Sequence, residues 1–200
     1  MTSNFLQFSI AADNNRQHIL ERLRTIFIEP GTVLEIGSCS GQHAVYFSGA
    51  LPHLIWQPTD RGEYLDALRE NIAALAGENV HLPVQLDVSQ GAWSVDPVDY
   101  IFAANVLHIM AECNVPDFFS GAGTQTKTTG KLCLYGPYKY GGSFTTESNA
   151  RFDDWLKGRD PVSGIRDFEW VCELALKNDF VLVNDYAMPA NNQLLVFEKS

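Results

Sequence analysis

Val33-Leu34-Glu35-Ile36-Gly37-Ser38-Cys39-Ser40-Gly41-Gln42-His43 is the stretch whose reading decides the fold. Thr32 to Ile36 has the apolar content of a buried strand, and the glycines at 37 and 41 read as a tight turn. Residues 42–50 read as a helix. A strand, glycine turn and helix in that order bring backbone N–H groups and a helix N-terminus close to a polar ligand. Glu35, just before the first glycine, is expected to place a carboxylate where the ligand arrives. A carboxylate there suits a cationic group and disfavours a pyrophosphate. Gly37, Ser38 and Gly41 are the candidate backbone contacts. The dinucleotide spacing Gly-x-Gly-x-x-Gly is not met, because Cys39 and Gln42 occupy its second and third glycine positions.

Outward from this turn, strand-like and helix-like runs alternate. Strands are expected at 32–36, 53–57, 81–86, 98–104, 131–135, 180–187 and 193–198. Helices are expected at 15–28, 42–50, 61–76, about 114–121, 148–157 and 167–178. In the first of these, Ile19, Leu20, Leu23, Ile26 and Phe27 share a face, and Pro30-Gly31 stops it. Alternation at this rhythm predicts βαβ units and a doubly wound, mainly parallel seven-stranded α/β sheet. Pro83 marks the third strand as an edge. The link Pro189-Ala190-Asn191-Asn192 is too short for a parallel crossover, so the last two strands form a hairpin and the final strand is antiparallel.

Two hundred residues, 46% of them hydrophobic, predict one globular domain over 1–200 with a substantial core. A net charge of −10 argues against binding a nucleic-acid backbone, which needs clustered cations. The four cysteines show no C-x-x-C pair, and the five histidines have no ligand spacing. No metal is expected, and a reducing, cytoplasmic setting is. Neither a signal peptide nor an apolar run of membrane-spanning length is apparent. The oligomeric state is not legible.

In an open parallel sheet, ligands lie beyond the carboxyl ends of the strands. Asp60, 19 residues past Gly41, is placed to accept from both hydroxyls of a ribose. It equally suits the N-cap of the helix near Arg61, and the two roles are compatible. Asp87 can accept from an adenine amino group while Val88 packs on the ring, or serve as a loop aspartate. Asn105 ends the fourth strand on the ligand side of the sheet. His108 follows as a candidate general base or as a packing histidine. Tyr135 and Tyr138, with Gly136, Gly141 and Gly142, read as a substrate wall on a hinged loop or as an ordinary turn. Asn191 and Asn192 suit a turn needing positive φ, and their end of the sheet also makes them candidate substrate contacts. Loop 136–150 and this turn are expected to flank one pocket.

The motif E-x-G-x-x-x-G resembles motif I of class I S-adenosylmethionine-dependent methyltransferases, with Cys39 in place of a middle glycine. The chain as a whole resembles a methyltransferase-like family of unknown function that includes the animal methyltransferase-like protein 26. The blocks that carry this are Ala11 to Arg16, Leu34 to His43, Leu51-Pro52-His53, Trp56 to Asp60, Leu86 to Val88, Leu134 to Tyr138, Ser148 to Ala150 with Phe152-Asp153, Arg159 to Pro161, Gly164 to Asp167, and Met188 to Asn192. Cys39-Ser40 stands where the family usually has Gly-Thr. The resemblance implies the Rossmann-like methyltransferase fold with strand order 3-2-1-4-5-7-6. It also implies S-adenosylmethionine as cofactor, and it implies no particular substrate.

The function expected is methyl transfer to a small or peptide-like acceptor. Glu35, Gly37, Ser38, Gly41, Asp60, Asp87, Val88 and Asn105 are expected on the cofactor. His108 and Tyr138 are the catalytic candidates, and Arg16, Tyr135, Asn191 and Asn192 the substrate contacts. The rivals are a non-catalytic binding or scaffold protein of the same fold and an NAD-dependent oxidoreductase.

Overall fold

The structure is a computed structural model and describes residues 4–200. In chain order the helices are α1 (Ile10–Ile26), α2 (Gln42–Ala50), α3 (Leu65–Leu75), α4 (Val115–Gln125), α5 (Glu147–Arg159) and α6 (Phe168–Lys177). The strands are β1 (Gly31–Ile36), β2 (Leu54–Asp60), β3 (Val84–Gln85), β4 (Val98–Ala104), β5 (Thr126–Gly136), β6 (Tyr138–Tyr140), β7 (Ser143–Phe144), β8 (Arg166–Asp167), β9 (Phe180–Met188) and β10 (Asn192–Lys199). Seven of them form one sheet in the order β3-β2-β1-β4-β5-β10-β9. β1, β2 and β3 run parallel, and β10 is antiparallel to both β5 and β9. This is the Rossmann-like methyltransferase arrangement, with the antiparallel last strand inserted beside β5. Among the described residues no helix is long and apolar enough to cross a membrane.

The chain divides into two compact units. The first runs to Asp87 and takes in Val98–Phe102; the second is Val88–Pro97 with Ala103–Ser200. In the first, α1 begins five residues before the expected start. Ser9 is its N-cap, and the Ser9 hydroxyl accepts from Ala12 N at 3.2 Å. Its Ile19, Leu20, Leu23 and Ile26 are buried, as the periodicity requires. β1 is covered on both faces, with Val33, Leu34 and Ile36 all inside. Phe47, Trp56 and Phe102 form an aromatic cluster beside it, with ring centroids 5.5–6.2 Å apart. β3 is shorter than 81–86. A single bridge, Trp56↔Val80, precedes Pro83, which has no N–H to donate; pairing lapses there and resumes at Thr59↔Val84 on the sheet edge.

In the second unit, β5 starts at Thr126 rather than 131 and pairs with β10 through to Gln193↔Gly136. The β9–β10 link turns with Ala190 and Asn191 both at φ 58°: Asn191 takes the left-handed conformation expected of it, whereas Asn192, expected there too, is extended at φ −94° and Ala190 stands in its place. A second sheet, β7-β6-β8, has strands of only two or three residues, too short to leave a periodicity in the sequence. Gly121, in mid α4, lies against the Trp93 indole, which a Cβ there would overlap. Gly121→Ala should therefore destabilise the protein by about 2 kcal/mol or more, although alanine is the better helix former by about 1 kcal/mol. Urea denaturation of the two proteins checks this.

Candidate functional site

The turn after β1 belongs wholly to the first unit. Gly37 (φ 72°), Cys39 (φ 51°) and Gly41 (φ 76°) all take the left-handed conformation. Ser38 N donates to Thr59 O at 2.9 Å, and Gly41 N donates to Ser38 O at 2.8 Å. Gly41 is required twice over. A Cβ there would be strained, and it would also meet Leu68 Cδ1 of α3 at 2.9 Å. The deciding contact is at Asp60, the last residue of β2. Its Oδ2 accepts from Cys39 N at 2.6 Å and its Oδ1 from Arg61 N at 2.7 Å. The β2 carboxylate and the glycine turn thus form one structure at the carboxyl ends of two parallel strands. Burial pushes the Asp60 carboxyl above the ordinary aspartate range, against the pull of the two N–H donors.

Glu35 departs from the expectation. Its carboxylate is turned into the core rather than toward a ligand, and the residue is 2% exposed. Oε2 accepts from Trp56 Nε1 at 2.8 Å, and Oε1 lies 3.9 Å from His43 Nδ1. The other ring nitrogen of His43 bonds Asn15 Oδ1 at 2.7 Å, which reaches α1. Burial pushes Glu35 up to about 7 and His43 down to about 4. Desolvation outweighs their mutual attraction, so at mildly acidic pH the pair is neutral.

Arg16 is paired with Asp13 at 2.8 Å and lies 4.7 Å over the Tyr46 ring, clamping α1 to α2. Asp87 is half-buried at the end of the first unit, and Val88, also half-buried, opens the second.

In the second unit, Asn105 is held at φ 59° just past β4, its N–H donating to Tyr135 O at 2.8 Å. Tyr135 is buried. His108 is buried, with its ring edge against Phe152 at 5.4 Å, and burial together with the nearby Arg166 cation lowers it to about 4. Tyr138 is buried too, and burial drives its phenol far above the ordinary tyrosine range. Loop 136–150 and the β9–β10 turn do meet: Asn149 Nδ2 donates to Asn191 O at 3.0 Å, and Asn191 Nδ2 to Ser148 Oγ at 3.1 Å. Asn192 folds back on the carbonyls of Pro189 and Ala190.

A family model described as "Protein of unknown function (DUF938)" matches residues 6–199. The chain belongs to that family. Among solved structures it is similar to human N-acetylserotonin methyltransferase in complex with SAM, at 14% identity and TM-score 0.79, over 95% of this chain and 53% of that one. It is similar to an O-methyltransferase family 2 protein from Planctomyces limnophilus in complex with apigenin, at 15% identity and TM-score 0.79, over 96% and 60% of the two chains. An O-methyltransferase family protein from Burkholderia thailandensis matches at 16% identity and TM-score 0.79, over 95% and 57%. The chain thus spans little more than half the length of these proteins. At such identities the likeness shows the fold.

Some residues that organise these sites gave no sequence signal. Gln42 and Asn71 hold the segment before α1 against the turn. Asn71 exchanges two bonds with Leu6 (2.8 and 2.9 Å), and Gln42 exchanges two with Ser9 (2.6 and 3.1 Å). Arg166 donates to the carbonyls of Leu107, Met110 and Val162 and to the Glu112 carboxylate, at 2.7–3.1 Å. It thereby fixes the loop that carries His108. The spacing Gly164 to Asp167 marked this block as part of the family pattern without giving a reason for it.

The Glu35 shift fixes a sign for stability against pH. Its folded-state value lies above the unfolded one, so the native state holds the extra proton between about 4.5 and about 7. Stability from this group is full below that window and falls as pH rises through it, by about 3 kcal/mol at roughly 1.4 kcal/mol per pH unit. Glu35→Gln keeps an acceptor for Trp56 and should abolish that loss. Urea melts at pH 5 and pH 8 should show the variant gaining on the wild type at the higher pH.

Proposed function

We propose that the chain is a methyltransferase that binds S-adenosylmethionine at the β1–α2 turn and methylates a small, uncharged or peptide-like acceptor. The observation that carries this is the 2.6 Å bond from Cys39 N to Asp60 Oδ2, which joins a left-handed glycine turn to a carboxylate at the end of β2. The residues fit the cofactor. Each Asp60 oxygen takes one backbone N–H and keeps lone-pair capacity for a ribose hydroxyl. The backbone of Gly37, Ser38 and Gly41 would hold the methionine part, and Asp87 the adenine amino group. When bound, S-adenosylmethionine would supply a methyl group activated by attachment to a sulfonium. Support also comes from the family and from solved methyltransferases of the same fold. Kinship with the animal methyltransferase-like protein 26 is part of the same proposal.

The acceptor-side candidates His108, Tyr135, Tyr138, Asn191 and Asn192, and the cofactor candidate Asn105, all belong to the second unit. The roles first assigned to His108 and Tyr138 need revision. A buried imidazole lowered to about 4 is a weak base at neutral pH, and the buried Tyr138 phenol keeps its proton. The chain's contribution is then alignment of the acceptor and exclusion of water, with a nucleophile that needs little help in losing a proton. A binding protein without turnover is the second reading. Cys39 at φ 51°, where a glycine would be unstrained, is the observation that favours it.

Asp60→Asn keeps one carbonyl oxygen for the backbone donors and removes the charge. It should weaken S-adenosylmethionine binding at least tenfold, since a charge-assisted hydrogen bond contributes about 1.5–3 kcal/mol. Titration calorimetry on the wild type and the variant, with melting curves to show that both fold, tests it. No heat with the wild type, or equal affinity in the two proteins, would overturn the assignment.

A further inference from the structure

Two non-glycine residues of the first unit hold a left-handed backbone on either side of one pair of buried amides: Gln7 at φ 53° and Cys39 at φ 51°. Such strain persists only where the surroundings over-determine it, and it collects at ligand clamps and switch segments. Here the surroundings are Gln42, at the start of α2, and Asn71, in α3, each 2% exposed. Asn71 takes both backbone groups of Leu6, at 2.8 and 2.9 Å, and donates to Ser40 O at 2.8 Å. Gln42 takes both backbone groups of Ser9, at 2.6 and 3.1 Å, and accepts from the Ser40 hydroxyl at 2.8 Å. Segment 5–9 is thus fastened at two points to the residue next to Cys39, and Gln7 lies between the two points.

Leu6, Gln7 and Phe8 are all exposed. The middle of the segment is therefore held by backbone bonds and not by burial of apolar side chains, the condition under which a segment opens locally without unfolding the rest. Release would free Ser40 and remove what keeps Cys39 at positive φ. A turn that relaxes at Cys39 withdraws that residue's N–H from Asp60 Oδ2, the carboxylate offered to the cofactor's ribose.

We propose that segment 5–9 is a strap over the β1–α2 turn, with Gln42 and Asn71 as positioning residues: strapped, the turn keeps the shape that binds S-adenosylmethionine, and unstrapped, it relaxes and the site is lost. The identity of the ligand rests on the methyltransferase reading; the coupling of strap to turn does not. Linkage makes the effect reciprocal. A ligand that prefers the strapped turn must fasten the strap by the same factor by which the strap tightens the ligand.

Amide exchange followed by NMR on the wild type is the first test. Saturating S-adenosylmethionine should slow exchange of the Leu6 and Ser9 amides at least fivefold. Leu6→Pro is the second, since it removes the N–H that Asn71 accepts while the lost side chain is an exposed one. Calorimetry should show its cofactor affinity lowered at least fivefold. Alkylation of Cys39 by iodoacetamide without cofactor, read by peptide mass spectrometry, should quicken at least fivefold. In the strapped turn that thiol is half-buried, and burial together with the Asp60 charge raises it and slows its reaction. Leu6→Pro should melt no more than about 4 °C below the wild type; a larger fall would make the segment part of the core and overturn the strap. Adding Cys39→Gly separates positioning from support. Glycine has no strain to relieve, so the double variant should recover most of the lost affinity. A double variant as weak as Leu6→Pro, or unchanged exchange at Leu6 and Ser9 with cofactor bound, would overturn the proposal. Faster Cys39 alkylation in Leu6→Pro with no cofactor binding by the wild type sinks the methyltransferase reading alone. Equal cofactor affinity in the two proteins sinks the strap alone.

Discussion

A carboxylate that is 2% exposed at the end of the central strand has to be matched, and the first unit is arranged around that requirement. Glu35 meets the indole N–H of Trp56 from β2 and the imidazole of His43 from α2. Asn15 reaches the far side of that imidazole from α1. Three elements are thus referred to one residue of β1. The rings involved also pack: His43 stacks on Phe47 at 5.1 Å, and Phe102 closes edge-on at 5.8 Å. The polar chain and the aromatic cluster are therefore one body, in which removing a polar member leaves a buried partner unsatisfied as well as a gap. Burial keeps the network neutral under mildly acidic conditions, so its strength there comes from hydrogen bonds rather than from an ion pair.

This network supports the turn above it. Ser40, in the middle of the turn, is held by two amides that also hold the segment before α1. Its hydroxyl donates to Gln42 Oε1 at 2.8 Å, and its carbonyl accepts from Asn71 Nδ2 at 2.8 Å. Gln42 and Asn71 read the backbone of residues 6 and 9 rather than their side chains. Order in that segment and order in the turn are consequently coupled through shared donors and acceptors. Cys39 sits in the turn at a positive φ that disfavours any side chain by roughly 1 kcal/mol or more. Asp60 and these two amides are what hold it there.

The sheet was legible because its signals are long. Alternating runs of strand and helix length predict the parallel sheet, and a link of four residues makes the last two strands a hairpin, while the order of the strands came with the resemblance alone. The small sheet β7-β6-β8 was not legible, since two or three residues carry no period. The direction of Glu35 was hidden for a different reason. A central parallel strand is buried on both faces, so polarity no longer marks which side of the sheet a residue takes. The place of Asp60 at the end of β2 was legible, but its bond to Cys39 N was not, and its bond to Arg61 N stands where a helix cap was the alternative reading.

The second unit follows a different logic. Its loop after β4 is fixed from outside by Arg166, whose bonds to Leu107 O, Met110 O and Val162 O are joined by those from Gly164 N to His108 O and from Ser163 Oγ to Ile109 O. A guanidinium held by three carbonyls and one carboxylate is planar and has few alternative arrangements. It locks the backbone of 107–112 while its charge helps to keep His108 neutral. One buried cation therefore sets both the position and the protonation state of the imidazole. A loop fixed in this way has few alternative backbone arrangements. The family-specific run Gly164 to Asp167 finds its physical reason in that task.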